Sequence, residues 1–471
     1  MHWYLTLLAI GLFSFASELH SRGRRAKRDL PANGFSGIWS SYLYSVLNCF
    51  HAKSAIQDAC LRFKGRLFTF SLLGQWVVLA RERGHVRDLC NAPEDVLSME
   101  LAAEELLQLR HIVGPLFTDE LYHIPAIRTK LNLNLGDILP HLLEEMYAAF
   151  EDIVDTQIGD KGWSSITVYP TVCRVVCRVT SRVFVGKTLC RNEEYCKLAS
   201  RFTDDVLVAG PILKFLIPSS LRSSIGKLYK MTFGHHKRMQ AFLGPLIEDR
   251  QQKLRQNSKF TLPNDMLTWL METAPSTTDQ HYTESISMRM LNVNFVAMHT
   301  TTKTFTHALY YLASQRQYLP VLRDEVEQHL DSSDFTTWTK EALAHCVKLD
   351  SFFKETLRLN GLGATWMPRL TVSDFKFSDG THIPKGYFVA TAASVIHEDN
   401  TIYNTAQEFD GLRFSVMRKI VAETEEWDWR HKMTSTSEAY VAFGGGRHIC
   451  PGRFFCLHGN EVFTSVYHPA L

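Results

Sequence analysis

Cysteine is scarce in this sequence, with ten residues in a chain of 471. That low number and the scattered spacing exclude a disulfide scaffold. Cys173 and Cys177 would share one face of a helix, so a metal site is one interpretation and plain buried thiols are the other. No Cys-x-x-Cys or His-x-x-x-His partner lies near them. The cysteines therefore indicate a reduced, cytosol-facing protein.

Net charge is also low, at +2 with histidine neutral. It gives no general case for nucleic-acid binding, because such proteins carry a dense basic face. Internal repeats and long low-complexity stretches are absent from the sequence. The length favours two packed subdomains, and the 29 Phe, 16 Tyr and 9 Trp suit a large apolar core with room for an apolar pocket.

A long apolar run is missing as well. The uncharged run from Trp3 to Ala16 is shorter than the roughly 20 residues that a membrane span needs. Basic residues follow this run rather than precede it: Arg22, Arg24, Arg25, Lys27 and Arg28. The positive-inside rule then predicts a single-pass anchor in the endoplasmic reticulum membrane at residues 1–20, a basic linker at 21–35 and a cytosolic domain at 36–471. A cleaved signal peptide and a peripheral hook are the alternatives.

Hydrophobic periodicity predicts a mainly α protein with one small β region. Apolar residues recur at helical spacing in four stretches: His141–Ile158, Val168–Phe184, Ser287–Ser314 and Ala342–Leu359. The third of these is apolar on several sides and free of glycine and proline, which is typical of a helix through the interior. Strands are predicted in three places: within residues 63–79 around a turn at Gly74, at Arg369–Val372 and at Phe388–Ala392.

The segment Val206–Ile217 is mostly apolar and is interrupted by Gly210 and Pro211. If it is an exposed connection, it suits a loop that dips into a membrane. A buried helix end fits the same sequence equally well.

The strongest chemical signal is the segment Phe443-Gly444-Gly-Gly446-Arg447-His448-Ile-Cys450-Pro-Gly452. Three consecutive glycines allow backbone geometry closed to other residues and a close approach to a planar ligand. Cys450 follows them just before a predicted helix that begins at Pro451. Amide donors and the helix dipole stabilise a thiolate at such a place. A glycine-rich turn with a buried thiol is the alternative.

This segment resembles the haem-binding loop of the cytochrome P-450 family, with Phe443, Gly446, Cys450 and Gly452 in the positions of its motif. The resemblance implies that Cys450 is the axial thiolate ligand to the iron of haem b (iron protoporphyrin IX). Where most members have Arg two residues before Cys, this chain has His448, which would take over a contact to a haem propionate. Gly444 and Arg447 would also lie at the cofactor. The motif Gly-Arg-His-x-Cys-Pro-Gly resembles that of fungal members of the family that act in secondary metabolism, of the ent-kaurene-oxidase type.

A second signal is the pair Glu355 and Arg358, three residues apart on a predicted helix. Alone, such a pair is an ordinary solvated surface pair. Its order before Arg369, Arg413 and the Cys450 loop resembles the family's helix K, β strands and meander. The resemblance implies that Glu355, Arg358 and Arg413 form a structural triad and that Arg369 contacts the cofactor. The implied fold is an α-helical domain with a smaller β-rich subdomain, and the haem lies between a long distal helix and the cysteine loop.

The third signal lies inside the long predicted helix, at Ala297-Met-His299-Thr300-Thr301. Several hydroxyls at a helix centre are unfavourable by propensity, and hydrogen bonds back to the carbonyls four residues earlier are one explanation. The resemblance implies another: Thr300 falls on the threonine that relays protons to iron-bound oxygen, and Thr301 stands beside it. His299 occupies the usual acid position and Ala297 that of a glycine. A histidine can also relay protons near neutral pH.

A weaker match is the segment Tyr122-His-Ile-Pro-Ala-Ile-Arg128. The family usually places Trp and Arg four residues apart here to hold a propionate. If Arg128 is that arginine, Ile124 stands in the Trp position and only the arginine serves.

The resemblance implies a monooxygenase that oxidises a lipophilic small molecule, a terpenoid or related secondary metabolite, with O2. Its electrons would come from an NADPH-cytochrome P-450 reductase at the membrane. A haem-thiolate isomerase or dehydratase is an alternative, as is a non-catalytic remnant. The tail after Phe455 departs from the family's long proximal helix and terminal hairpin, and is interpreted as truncated or alternatively spliced. We therefore expect weakened haem binding.

Overall fold

The fold is described from a computed structural model. The described residues are 30–34, 38–72, 75–118, 121–158, 164–257, 259–275, 281–331, 338–422 and 429–459. The predicted anchor, nearly all of the basic linker, the turn at Gly74 and the tail beyond Gly459 lie outside them.

Helices make up most of the described chain. They are α1 Ile38–Arg62, α2 Arg83–Asn91, α3 Met99–Leu107, α4 Leu109–Ile112, α5 Pro115–Thr118, α6 His123–Pro125, α7 Leu135–Phe150, α8 Thr156–Ile158, α9 Val168–Val185, α10 Lys187–Cys190, α11 Glu193–Leu216, α12 Ser219–Phe233, α13 His235–Gln256, α14 Met266–Thr273, α15 Tyr282–Ser314, α16 Tyr318–His329, α17 Lys340–Ala344, α18 Val347–Leu359, α19 Ala393–His397 and α20 Arg413–Ala422. Two π-helical segments, Ala126–Leu131 and Glu151–Asp155, extend α6 and α7. Residues 453–459, after the Cys450 loop, are helical too.

The β region is one mixed sheet and a small hairpin. Its strands are β1 Ala32–Asn33, β2 Phe68–Leu72, β3 Gln75–Ala80, β4 Leu97–Ser98, β5 Trp366–Thr371, β6 Phe375–Lys376, β7 His382–Ile383 and β8 Phe388–Thr391. The sheet order is β1-β2-β3-β8-β5-β4, and β6 pairs with β7. Strand β3 pairs with β8 in parallel. The sheet therefore joins segments that lie about 300 residues apart in the sequence. The predicted mainly α fold with a small β region is confirmed.

The helix boundaries follow local capping and the burial of apolar faces. Side chains of Asn192 and Asp265 accept hydrogen bonds from backbone amides in the first turns of α11 and α14, at 3.0 and 2.9 Å, which satisfies amides that have no partner inside the helix. Helix α15 has 33 residues and is about 50 Å long. It packs against α9, α11, α13 and α18, so the predicted interior helix is confirmed. The main hydrophobic core surrounds it, and smaller clusters lie against the sheet.

The segment Val206–Ile217 is not a loop. Helix α11 continues through Gly210 and Pro211 to Leu216. Gly210 lets α11 pack closely against the end of α3, because an added Cβ would lie 2.4 Å from the carbonyl oxygen of Leu107. Four of its apolar side chains are exposed: Leu207, Val208, Ile212 and Leu216. Within the described part of the chain, every helix is too short or too polar to cross a membrane.

Candidate functional site

The Cys450 loop is a closed turn. The amide of Cys450 donates to the carbonyl of Phe443 at 2.9 Å, and the amide of Gly444 donates to Val441 at 2.9 Å. A short 3₁₀ turn, Gly446–His448, lies between these two bonds. The loop therefore presents the Cys450 thiol at a fixed place before the helical residues 453–459.

The glycines of this loop are required by a neighbouring helix. Gly444 and Gly446 have φ of +75° and +62°, in the left-handed region that favours glycine. A Cβ at Gly446 would lie 2.0 Å from the carbonyl oxygen of Cys90, and one at Gly445 would lie 2.5 Å from its Sγ. The close approach therefore includes the C-terminal end of α2. The sequence predicts special backbone geometry and a close approach to a planar ligand at these glycines, but not the contact with α2.

The Cys450 thiol is half-buried. Burial raises its pKa, while the backbone amides of Gly452 and Arg453 and the charge of Arg453 act to lower it. The free thiolate is thus disfavoured overall, although donors already face the sulfur. A coordinated metal cation deprotonates a thiol outright, so the donor set suits a metal-bound thiolate.

Two arginines lie close to the loop. Arg369 on β5 is only 2% exposed and donates to the adjacent Pro368 carbonyl at 2.9 Å. Among the described residues, no carboxylate lies within 4.0 Å of its guanidinium, and burial lowers its pKa. Arg128 reaches across from the π segment to donate to the Arg447 carbonyl at 3.3 Å. The structure thus brings Arg128, Arg369 and the cysteine loop together.

His448 contacts a residue that the sequence did not single out. Its Nε2 lies 2.7 Å from Oε2 of Glu94, an ion pair when the imidazole is protonated. Burial and the charge of Arg369 lower the pKa of His448. Glu94 is held by Ser98 at 2.7 Å and by the amide of Glu100 at 3.2 Å. Burial alone would raise its pKa, yet these donors and His448 lower it.

These residues fit the carboxylates of a haem. A buried guanidinium without a carboxylate in direct contact is costly unless an anion joins it. Haem propionates are anions of the size that Arg369, His448 and Arg128 could hold, with Cys450 on the iron.

A bulge in β5 determines the position of Arg369, and no sequence pattern predicts this bulge. Met367 has φ of +54°, in a region that costs a residue with a Cβ roughly 1–2 kcal/mol. The pairing of β5 with β8 shifts register between Trp366 and Arg369. Met367 is buried, and its Cε lies 3.5 Å from the position of a Cβ on Gly445. The bulge therefore packs β5 against the cysteine loop and brings Arg369 with it.

Glu355, Arg358 and Arg413 form a buried ionic cluster. Arg358 donates to both carboxylate oxygens of Glu355 at 2.7 Å, and Arg413 donates to one of them at 3.1 Å. Both side chains of the helix pair are 0% exposed. Arg358 also donates to the carbonyls of Ala406 and His397. The cluster thereby ties α18 to the segment before the Cys450 loop.

On α15, Thr300 lies on an open face. The hydroxyl of Thr300 donates to the Val296 carbonyl at 2.8 Å, and Thr302 and Thr304 bond to carbonyls four residues back in the same way, at 2.8 and 3.0 Å. These bonds are the back-bonding that the sequence left open as an explanation. Thr301 is buried, whereas Thr300 is half-buried and Val296 is exposed. Of the two neighbouring threonines, Thr300 is therefore the one that reaches open space.

His299 is directed toward neighbouring helices. Its Nδ1 lies 2.8 Å from the hydroxyl of Tyr169 on α9, and its Nε2 lies 3.7 Å from Oδ1 of Asp204 on α11. Sequence reasoning missed both partners, since they lie far from His299 in the chain. Whether His299 relays protons stays a prediction.

The cysteines suggested as a metal pair, Cys173 and Cys177, are buried free thiols. Among the described residues, no group of His, Cys, Asp or Glu is arranged to hold a metal ion.

Known proteins resemble this chain along most of its length. Residues 58–465 match the family model described as Cytochrome P450. Cytochrome P450 monooxygenase 151 of Postia placenta is 34% identical over 440 residues, which cover 93% of this chain and 86% of that protein. Cytochrome P450 monooxygenase CYP512U6 of Ganoderma lucidum is 31% identical over 91% of this chain and 82% of its own. The solved structure of retinoic acid bound cyanobacterial CYP120A1 has a TM-score of 0.66 at 19% identity, covering 93% of this chain and 90% of that one, and this likeness shows the fold.

Proposed function

Since this chain belongs to the cytochrome P450 family and is a monooxygenase, we propose that it binds haem b through Cys450 and oxidises a lipophilic small molecule. The proposal rests on one observation above the others. Arg369, a buried cation without a carboxylate partner among the described residues, lies beside the loop that presents the Cys450 thiol. The propionates of a haem would supply the anions for Arg369, and its iron would bind the Cys450 thiolate.

Haem held by a thiolate supplies the oxygen chemistry, because the thiolate favours cleavage of the O–O bond. The residues of the chain would hold and orient the haem and position a proton. Arg369, His448 and Arg128 would bind the propionates, and the amides of Gly452 and Arg453 face the Cys450 sulfur. Thr300 would hold a proton at its Oγ1 on the open face of α15.

A terpenoid or related secondary metabolite is the proposed substrate. The Gly-Arg-His-Ile-Cys-Pro-Gly sequence resembles fungal secondary-metabolism members, and the relatives named above are fungal monooxygenases. The apolar residue of the open face, the exposed Val296, suits a lipophilic ligand.

An NADPH-cytochrome P-450 reductase is the proposed electron donor, and the endoplasmic reticulum membrane the proposed location. The apolar run at Trp3–Ala16 and the basic residues after it support an anchor. Exposed apolar side chains on α11 and α12 support contact of the folded domain with lipid: Leu207, Val208, Ile212, Leu216, Leu228 and Met231. Such patches on a soluble surface mark interaction sites.

The spectrum of the reduced protein with carbon monoxide tests the ligand. We expect a strongly red-shifted Soret band for the unaltered chain and its loss in Cys450→Ala. Cys456→Ala is the matched control, since it removes another half-buried thiol six residues further along and should keep the band. An unshifted band in the unaltered protein would contradict thiolate ligation.

Oxygen consumption that requires both the reductase and NADPH tests the reaction class. A monooxygenase consumes oxygen only with both present and forms an oxygenated product. Turnover of substrate without a reductase would instead indicate an isomerase or dehydratase.

A further inference from the structure

The open face of α15 carries a lysine that the oxygen chemistry does not use. The open face consists of Asn292, Val296, Thr300, Lys303 and His307, which are half-buried or exposed, while most residues between them are buried. Their spacing of three or four residues places them on one side of the helix. Lys303 lies one turn beyond Thr300 on this side.

Lys303 binds backbone at the end of another helix. Its Nζ donates to the carbonyls of Gly361 and Leu362 at 3.1 and 3.3 Å. These carbonyls follow the C-terminus of α18, where the helix dipole attracts a cation. They also begin the segment that leads into β5.

Lys303 shares this structural tie with a second side chain. Asn360 already joins the same end of α18 to α15, through a bond of 2.7 Å to the Tyr311 hydroxyl. A neutral amide would donate to the two carbonyls as well. Among the described residues, no carboxylate lies within 4.0 Å of Nζ, and burial lowers the pKa of Lys303. Burial and Lys303 also lower the pKa of His307, one turn further along. An anion that reached Nζ would therefore favour the protonated form of Lys303.

An ammonium group has three donors, and two of those of Lys303 are used. We propose that Lys303 binds the carboxylate of the substrate, so that the substrate is a lipophilic carboxylic acid. This inference rests on the proposed function and names its substrate class. Three residues rise about 4.5 Å along a helix, so the acid group would be held close to Thr300. The oxidised carbon would then lie near the acid end of the molecule.

Carboxylic acids that carry an imidazole test this placement. The imidazole nitrogen binds haem iron and anchors the probe, and ω-(imidazol-1-yl)alkanoic acids with short spacers place the carboxylate at graded distances. Each acid is compared with its methyl ester by the optical shift on binding. We expect one spacer for which the unaltered holoprotein binds the acid at least about tenfold more tightly than the ester, a difference of about 1.4 kcal/mol.

Two variants separate charge from structure. Lys303→Gln keeps donors for Gly361 and Leu362, and Lys303→Met keeps the apolar stem. Both should abolish the preference for the acid while leaving the ester affinity unchanged. Equal binding of acid and ester at every spacer in the unaltered protein would overturn the proposal, and so would a preference that survives in Lys303→Gln. The titration needs bound haem but no turnover, so a failure of monooxygenase activity would be seen separately.

Discussion

The Cys450 loop and the open face of α15 are held in different ways. The loop is fixed by backbone contacts that tolerate no extra atom, as at Gly446 against Cys90, and by a fully buried ionic cluster at Glu355. The open face carries polar side chains around the exposed Val296, and these bond to their own helix or to one neighbouring segment, as Thr300 and Lys303 do. The first region is built for rigidity and the second for contact with a ligand. Substitutions should therefore affect stability in the first region and coupling or specificity in the second.

The largest effect is expected for Glu355→Gln. The change leaves the buried guanidinium groups of Arg358 and Arg413 without a counter-ion, and breaking a buried pair in this way costs about 3–5 kcal/mol. Urea denaturation followed by circular dichroism measures the loss. Glu193→Gln is the control, because Glu193 pairs with Lys197 at the exposed start of α11 and its loss should not be measurable. Equal stability of the two variants would contradict a contribution of the Glu355 cluster to the free energy of unfolding.

A smaller loss is expected for Gly446→Ala. A left-handed φ costs a residue with a Cβ roughly 1–2 kcal/mol, and the clash with the Cys90 carbonyl adds to it. Both the free energy of unfolding and the haem content should fall. Gly84→Ala, on the same helix as Cys90, meets nothing closer than 3.8 Å and should lower neither, because alanine is the better helix former. If Gly446→Ala behaved like Gly84→Ala, the close contact between the Cys450 loop and α2 would not be needed for stability or for haem binding.

The pH dependence of stability offers a third test on the loop side. The Nε2 of His397 accepts a hydrogen bond from the amide of Val441 at 3.0 Å. Burial, and then the charge of Arg358, lower the pKa of His397 from 6.5 to about 3. Between these values the unfolded chain binds a proton that the folded chain does not, so stability falls as the pH drops below 6.5.

The slope is about 1.4 kcal/mol for each pH unit. His397→Gln retains an acceptor but does not titrate. The difference in unfolding free energy between this variant and the unaltered protein should therefore shrink as the pH falls from 6.5 toward 3. Parallel curves would show that His397 is protonated in the folded state.

The same contrast decides what could be predicted from sequence. Glu355 with Arg358 and the long interior helix carry local spacing signals, and the structure has the ion pair and the helix that these patterns predict. The Cys450 motif also carries a local signal, and its role as haem ligand stays a prediction. Glu94, Tyr169 and Asp204 carry none, because their contacts with His448 and His299 depend on how distant segments pack. The left-handed Met367 was hidden for another reason: strain at a bulge is imposed by the fold, not by residue type.

The smallest change in stability is expected for Thr300→Val. Within the described part of the chain, the hydroxyl bonds only to carbonyls of its own helix, and such a bond contributes about 0.5–1.5 kcal/mol at most. If Thr300 holds a proton for the reaction, the variant should instead release hydrogen peroxide and form less product for each NADPH consumed. Thr302→Val is the matched control, since Thr302 makes the same bond to Met298 but is 0% exposed. Its ratio of product to NADPH should stay that of the unaltered protein, and an equal fall in both variants would assign the effect to helix geometry rather than to the Thr300 hydroxyl.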